Sequence, residues 1–256
     1  MDYSWAVIAF LFFITATLYA SVGNAGATSY LAVMALFGFA PAEMKSTALI
    51  LNILVASIAA VKFYRAGCFS GNLFLPFALT SIPFAYLGGK ILLPEEIYNP
   101  VVSLVLLYAA FRLVRLSKDN QEMVEIRRPP LWSALCAGAG MGLLAGLTGI
   151  GGGILLSPLL IFLGWAETRQ AAAVAAFFNL TNSIAGLSGH LSVINSLPTA
   201  IPYWALAAGV GGWIGAEYGS RRLASLRLQQ ILAVILVLAA LRTLLFWWGQ
   251  ANLASF

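Results

Sequence analysis

The sequence predicts an all-α polytopic membrane protein made of two inverted repeats of five segments each. Three observations lead there. Hydrophobic residues fill 61% of the 256 positions and charged residues 9%, where soluble domains carry roughly 45–50% and 25%. The stretches 3–42, 129–166 and 170–216 contain no Asp, Glu, Lys or Arg, and each has room for two membrane helices of about 20 residues. Finally, the two halves align at a constant offset of 126 residues.

The elements follow in order. Segment 4–22 is preceded only by Met1, Asp2 and Tyr3; it lacks the positive leader of a signal peptide and is expected to be retained as the first helix. Segment 24–39 opens on a glycine cluster and closes at Gly38. Segment 47–64 follows Lys45-Ser46-Thr47 and ends at Lys62 and Arg65. Segments 72–91 and 97–116 complete the first half, the fourth carrying Pro76 and the fifth ending at Arg112 and Arg115. After Pro129 and Pro130 come 131–148, the glycine-led 150–164, the Ala-rich 170–187, then 197–216 and 228–248. The one sizeable polar connection, 117–128, carries Lys118, Asp119, Glu122, Glu125, Arg127 and Arg128. It divides the chain into a first repeat at 1–116, a linker at 117–130 and a second repeat at 131–256.

With that linker in the cytoplasm, eleven basic residues face inward (Lys62, Arg65, Arg112, Arg115, Lys118, Arg127, Arg128, Arg169, Arg221, Arg222 and Arg227), against Lys45 and Lys90 outside. The positive-inside rule therefore puts both termini outside an inner membrane. Tyr3, Trp5, Trp132, Trp165, Trp247 and Trp248 lie near segment ends, as an aromatic belt requires.

Several classes are excluded. The +5 net charge sits between apolar segments, where it sets topology rather than binding nucleic acid. Cys68 and Cys136 supply no disulfide framework, and with a single histidine they supply no metal site. The apolar runs are too long for a β-barrel. Ser188-Gly189-His190 is no hydrolase pair, since residues two apart on a helix face different ways. No enzyme is expected, and no cofactor.

The repeat is carried by residues that punctuate helices. Gly23-Asn24-Ala25-Gly26-Ala27 falls on Gly149-Ile150-Gly151-Gly152-Gly153, Gly38 on Gly164, Pro76 on Pro202, Gly89 on Gly215 and Ser57-Ile58-Ala59 on Ser183-Ile184-Ala185. Five spans per copy turn the second upside down. Inverted repeats are the mark of secondary transporters, with the substrate near the midplane between copies. Shared helix-packing needs are the bland alternative.

The second segment of each copy is short: from Gly23 to Gly38, or Gly149 to Gly164, a helix covers only ~22 Å of a hydrocarbon core ~30 Å thick. Each is thus a half-helix or a re-entrant arm. Helix N-termini present free N–H groups to anions, and glycine lets the ligand approach that backbone. A tight small-residue crossing is the competing reading.

These residues carry a resemblance. Gly149–Gly153, then Pro158 and Gly164, followed by an Ala-rich helix with Asn179, resemble the TauE/SafE-type (TSUP) sulfite exporter family, and Gly23–Gly38, Lys45-Ser46-Thr47 and Asn52 repeat the pattern. The resemblance spans essentially the whole chain and implies export of sulfite, organosulfonates or related anions. Ala25 and Ala27 replace Gly151 and Gly153 in the first copy, and Ala32 replaces Pro158, so equal anion contact by the two copies is not expected.

Candidate substrate-binding residues are Gly23, Asn24, Gly26, Thr28, Asn52, Thr148, Gly149, Gly151, Gly152, Gly153, Asn179 and Asn182. Buried amides and hydroxyls are costly without a partner, and neutral donors suit an oxyanion that must be released. The alternative role is interhelical hydrogen bonding, worth ~0.6 kcal/mol per bond. Asn52 and Asn179 are expected to converge through the pseudo-two-fold. Glu43/Lys45 and Glu167/Arg169 read as solvated pairs at helix ends. Arg242 is the one cation inside a span, read either as snorkelling outward or as a site residue. Glu217 and His190 are the candidates for coupling, His190 more simply as an interfacial histidine. The reading is an exporter working by alternating access, its partners a small anion and the lipid bilayer; the rival is a passive channel, in which irregular backbone lines a pore, and a helical scaffold is the third class.

Overall fold

A computed structural model describes residues 3–116, 126–191 and 197–221, with Val237 and Leu241. The rest of the expected tenth segment at 228–248, with Arg242, Trp247 and Trp248, and linker positions 117–125 lie outside the described residues. Among the described residues the chain is all helix: α1 (Tyr3–Ala20), α2 (Ala27–Leu36), α3 (Pro41–Arg65), α4 (Gly71–Lys90), α5 (Glu95–Leu116), α6 (Leu131–Thr148), α7 (Gly153–Phe162), α8 (Thr168–His190) and α9 (Ile201–Arg221). Three of them, α3, α6 and α8, are long and apolar enough to cross a membrane on length and composition alone. The chain is consistent with a membrane protein throughout. Phe10, Leu79, Trp132 and Leu206 expose 62–79% of their surface, an apolar exterior that a bilayer, not water, accommodates.

Several boundaries differ from expectation, α9 among them at Ile201–Arg221 instead of 197–216. Helix α3 starts at Pro41 rather than 47, because proline suits the first helical position and Glu43 favours the first turn. Lys45 is therefore helical. Helix α8 runs on from 187 to His190.

Helices α2 and α7 have ten residues each, about 15 Å and so half a span. They return instead of crossing. The Trp204 indole N–H donates to the Trp5 carbonyl at 3.4 Å, and Phe39, just beyond α2, packs on that same indole at 5.8 Å. The start of α1 and the exit from α2 thus share one end of the bundle. At the opposite end the Arg127 N–H donates to the Gly164 carbonyl at 2.8 Å, joining the entry to α6 with the exit from α7. Both pairs are hairpins. Each short helix is led by a glycine in the left-handed region, Gly26 at φ 95° and Gly152 at φ 85°, where a side chain costs roughly 1–2 kcal/mol.

Two glycine ladders bring long helices into backbone contact. Gly138, Gly142 and Gly146 of α6 lie against Phe77, Ser81 and Ala85 of α4, while Gly211, Gly215 and Gly219 of α9 lie against Phe13 and Thr17 of α1 and Ser21 just beyond it. A four-residue spacing puts each set on one helix face, the small-residue packing of membrane helices. Between these pairs α3 and α8 cross the centre. The Asn52 amide donates to Ser183 Oγ at 2.7 Å, and Tyr64 meets Phe177 at 6.3 Å nearer the other end.

Candidate functional site

The two hairpin turns meet the central helices around a small cavity of about 10 Å³. Its lining is Tyr19, Asn24, Ala25, Gly26, Ala27, Thr28, Asn52, Ile150, Ile154 and Asn179. Among the described residues no charged side chain lines it.

The lining is donor-rich because the local backbone leaves donors over. In α2 the first intrahelical bond runs from the Tyr30 N–H to the Gly26 carbonyl at 3.0 Å, so the N–H groups of Ala27, Thr28 and Ser29 have no intrahelical acceptor. Ser29 Oγ donates to Gly26 O at 2.7 Å and the Tyr30 hydroxyl to Ala25 O at 2.8 Å, which fixes the turn. The Tyr19 hydroxyl is buried facing Thr28, and Asn52 Oδ1 is buried without a hydrogen-bond partner. An unpaired buried polar atom costs about 1–3 kcal/mol, a cost that a bound ligand relieves.

The two helix N-termini are not equivalent. Asn179 Oδ1 accepts the Gly153 N–H at 2.7 Å, so the α7 terminus is already capped from within the protein. Asn179 Nδ2 reaches toward Asn24 Oδ1 at 3.5 Å, linking the turns. The turn with fewer glycines, Gly23–Ala27, leads into the helix whose terminus has no such cap.

Among the sequence candidates, Asn24, Gly26, Thr28, Asn52 and Asn179 come together on the cavity. Gly151 stands directly behind the amides: a methyl group there would crowd Asn52 Nδ2 and lie 2.8 Å from Asn179 Oδ1 and 3.0 Å from Ser183 Oγ. Gly152 and Gly153 start α7. Gly23, Thr148, Gly149 and Asn182 stand off the lining. Gly23 abuts the Ala172 backbone; Thr148 donates to Leu144 O at 2.6 Å and its carbonyl accepts the Tyr98 hydroxyl at 3.1 Å; Asn182 is buried with both amide atoms unpaired. Tyr19, Ile150, Ile154 and Ser183 were not among the candidates. Tyr19 had one signal, its position one helical turn before Gly23.

The charged residues divide by end. Glu217 pairs with Lys62 of α3 and with Arg221 at 2.6 Å, and Lys62 sits 4.7 Å over the Trp213 ring. The Arg169 guanidinium donates to the Arg221 carbonyl at 2.7 Å. Lys45 corrects an expectation. It is only 3% exposed, not solvated, because the C-terminal carbonyls of α4 supply its acceptors. His190 is likewise fully buried rather than interfacial, since α8 carries it into the packing beside Lys45. Among the described residues no three His, Cys, Asp or Glu side chains group as metal ligands.

A family model described as "Sulfite exporter TauE/SafE" matches residues 8–243. The chain belongs to the TauE/SafE family. It is 42% identical over 246 residues to the "Probable membrane transporter protein y4hK" of Sinorhizobium fredii, covering 95% of this chain and all of that protein. It is 29% identical over 106 residues to the "Probable membrane transporter protein YunE" of Bacillus subtilis, covering 38% of this chain and 36% of that one. No solved structure matches. TauE/SafE membership makes this a membrane transporter family protein, and it points away from an enzyme.

Proposed function

We propose that the chain exports a small sulfur-containing anion, sulfite or an organosulfonate, by alternating access between two inverted five-segment repeats. The observation that carries this is the cavity between the hairpin turns, where the N-terminus of α2 meets the buried Asn52 Oδ1, which has no hydrogen-bond partner. Such a site offers dipoles to an oxyanion and exposes no fixed charge that would retain it.

Support for the repeats comes from glycines matched across the offset. Gly23 and Gly149, Gly26 and Gly152, and Gly38 and Gly164 all have φ between 65° and 95°. The packing is also paired, α4 with α6 and α1 with α9, as a two-fold relating α1 to α6 and α4 to α9 would require. Lys62, Arg127, Arg169 and Arg221 gather at one end through the contacts above, which supports a cytoplasmic face there with both termini outside.

Export of an anion from an inside-negative cell needs no proton device, because each charge is driven by about 2.3 kcal/mol per 100 mV. In proteoliposomes at fixed pH, sulfite flux is expected to saturate, to show counterflow and to rise with an imposed potential. Non-saturating flux without counterflow indicates a pore instead. Glu217→Gln removes a partner of Lys62, not a proton acceptor in the path, so its flux is expected to keep the same voltage dependence. Flux that ignores potential, follows a pH gradient and loses that response in Glu217→Gln or His190→Ala contradicts uncoupled export.

A further inference from the structure

We propose that Lys45 is the counter-charge of the anion site, and that the site therefore takes a monoanion; this rests on the transport reading above. The Lys45 ammonium donates to the carbonyls of Gly88 at 3.3 Å, Gly89 at 3.1 Å and Ile91 at 3.1 Å. Three acceptors occupy three N–H donors, the geometry of the charged form, since a neutral amine has only two. Carbonyls at a helix C-terminus solvate that charge without cancelling it. Among the described residues no carboxylate lies within ion-pair distance of it; the ion pairs there join Lys62 and Arg221 to Glu217.

The position matters as much as the charge. Lys45 packs on the second glycine turn: a methyl group at Gly149 would lie 3.1 Å from the Lys45 carbonyl oxygen and 3.3 Å from its Cγ. The next residue, Ile150, lines the cavity. Among the described residues the Lys45 charge thus has no carboxylate partner, and its side chain packs on the glycine turn that leads into a site lined by dipoles. A monoanion cancels that charge. A dianion leaves a net negative charge in a poorly solvated interior, which is costly.

The surroundings hold no second candidate. His190 of α8, buried beside Lys45, turns its ring to the Gly89 backbone. Glu43 lies half-buried two residues earlier in α3. Lys90, ending α4, is exposed and sits 4.5 Å over the Tyr86 ring. Tyr98 of α5 is committed to the Thr148 carbonyl.

Equilibrium binding to the purified full chain tests the proposal with two probes of similar oxygen geometry, methanesulfonate carrying one charge and sulfate carrying two. Sulfite serves as the reference ligand. Methanesulfonate is expected to bind at least about tenfold tighter than sulfate. Lys45→Met weakens it on the order of tenfold, as for one charge acting across a turn at intermediate effective dielectric, while Lys45→Arg keeps both affinity and preference. Sulfate binding as tightly as methanesulfonate overturns the proposal, as does a Lys45→Met chain that melts like the parent and binds like it. If Lys45→Met fails to fold, the parent's preference between the two probes decides. A parent that binds none of the three anions overturns the transport reading instead.

Discussion

Gly151→Ala is expected to weaken anion binding by more than tenfold while leaving the helices assembled. The residue has φ +74° and its added methyl group would point into the Asn52, Asn179 and Ser183 side chains. Backbone strain at a left-handed position costs roughly 1–2 kcal/mol. The larger effect is on the amides. Making room separates Asn52 from Ser183 and Asn179 from the Gly153 N–H, each bond worth about 1 kcal/mol net, and turns both amides away from the cavity. The two bonds come to about 2 kcal/mol, or roughly thirtyfold in affinity, while the strain lowers stability instead. Gly67→Ala is the matched control: φ is +72° there, but nothing lies within 4 Å of the added methyl. It carries the strain without the site. Calorimetric titration with sulfite on both variants gives the answer. Equal loss in the two, or full binding by Gly151→Ala, removes Gly151 from any role behind the site.

What could be read from the sequence follows from whether the signal is local. The glycine clusters and the amides Asn52 and Asn179 were legible because a polar residue in an apolar run, or a glycine where a helix should continue, is anomalous by itself. The half-length of α2 and α7 was legible from the same glycines. Their return to the starting end was not, because a crossing pair and a hairpin leave identical segment parity. Only the contacts of Trp5 and Phe39 with Trp204, and of Arg127 with Gly164, separate the two. Lys45 was misread for a related reason. Beside Glu43 it looks like a solvated end pair, and its acceptors are backbone carbonyls some 43 to 46 positions away, which leave no mark in its neighbourhood. Tyr19 was hidden among aromatic residues that normally mark core or interface. The glycine ladders could have been found: the four-residue spacing of Gly138, Gly142 and Gly146 and of Gly211, Gly215 and Gly219 is written in the sequence.

Those ladders carry the second large effect, on assembly rather than binding. In a bilayer lipid is as apolar as leucine, so helix association rests on close van der Waals contact and not on burial from water. Gly215→Leu destroys such a contact. Even its first added carbon would lie 2.7 Å from the Thr17 carbonyl carbon and 2.8 Å from Thr17 Cα, both backbone atoms that cannot rotate away. Helices α1 and α9 must move apart, and the contacts at Gly211 and Gly219 go with them. Overpacking a tight site costs roughly 1–3 kcal/mol or more, against a total stability of about 5–15 kcal/mol for folded proteins. Gly142→Leu in α6 is expected to fail to the same degree, because its first added carbon would likewise lie 2.6 Å from Ser81 Cα and 2.8 Å from the Ser81 carbonyl carbon of α4. Gly140→Leu supplies the contrast, since no atom lies within 4 Å of its added carbon. The measurement is the yield of monodisperse protein after mild detergent extraction, with its melting temperature. Gly215→Leu and Gly142→Leu should lose most of that yield and Gly140→Leu should keep it. A Gly215→Leu chain that is monodisperse and melts with the parent means α1 and α9 are not held by backbone contact, and the paired packing then loses one of its two arms.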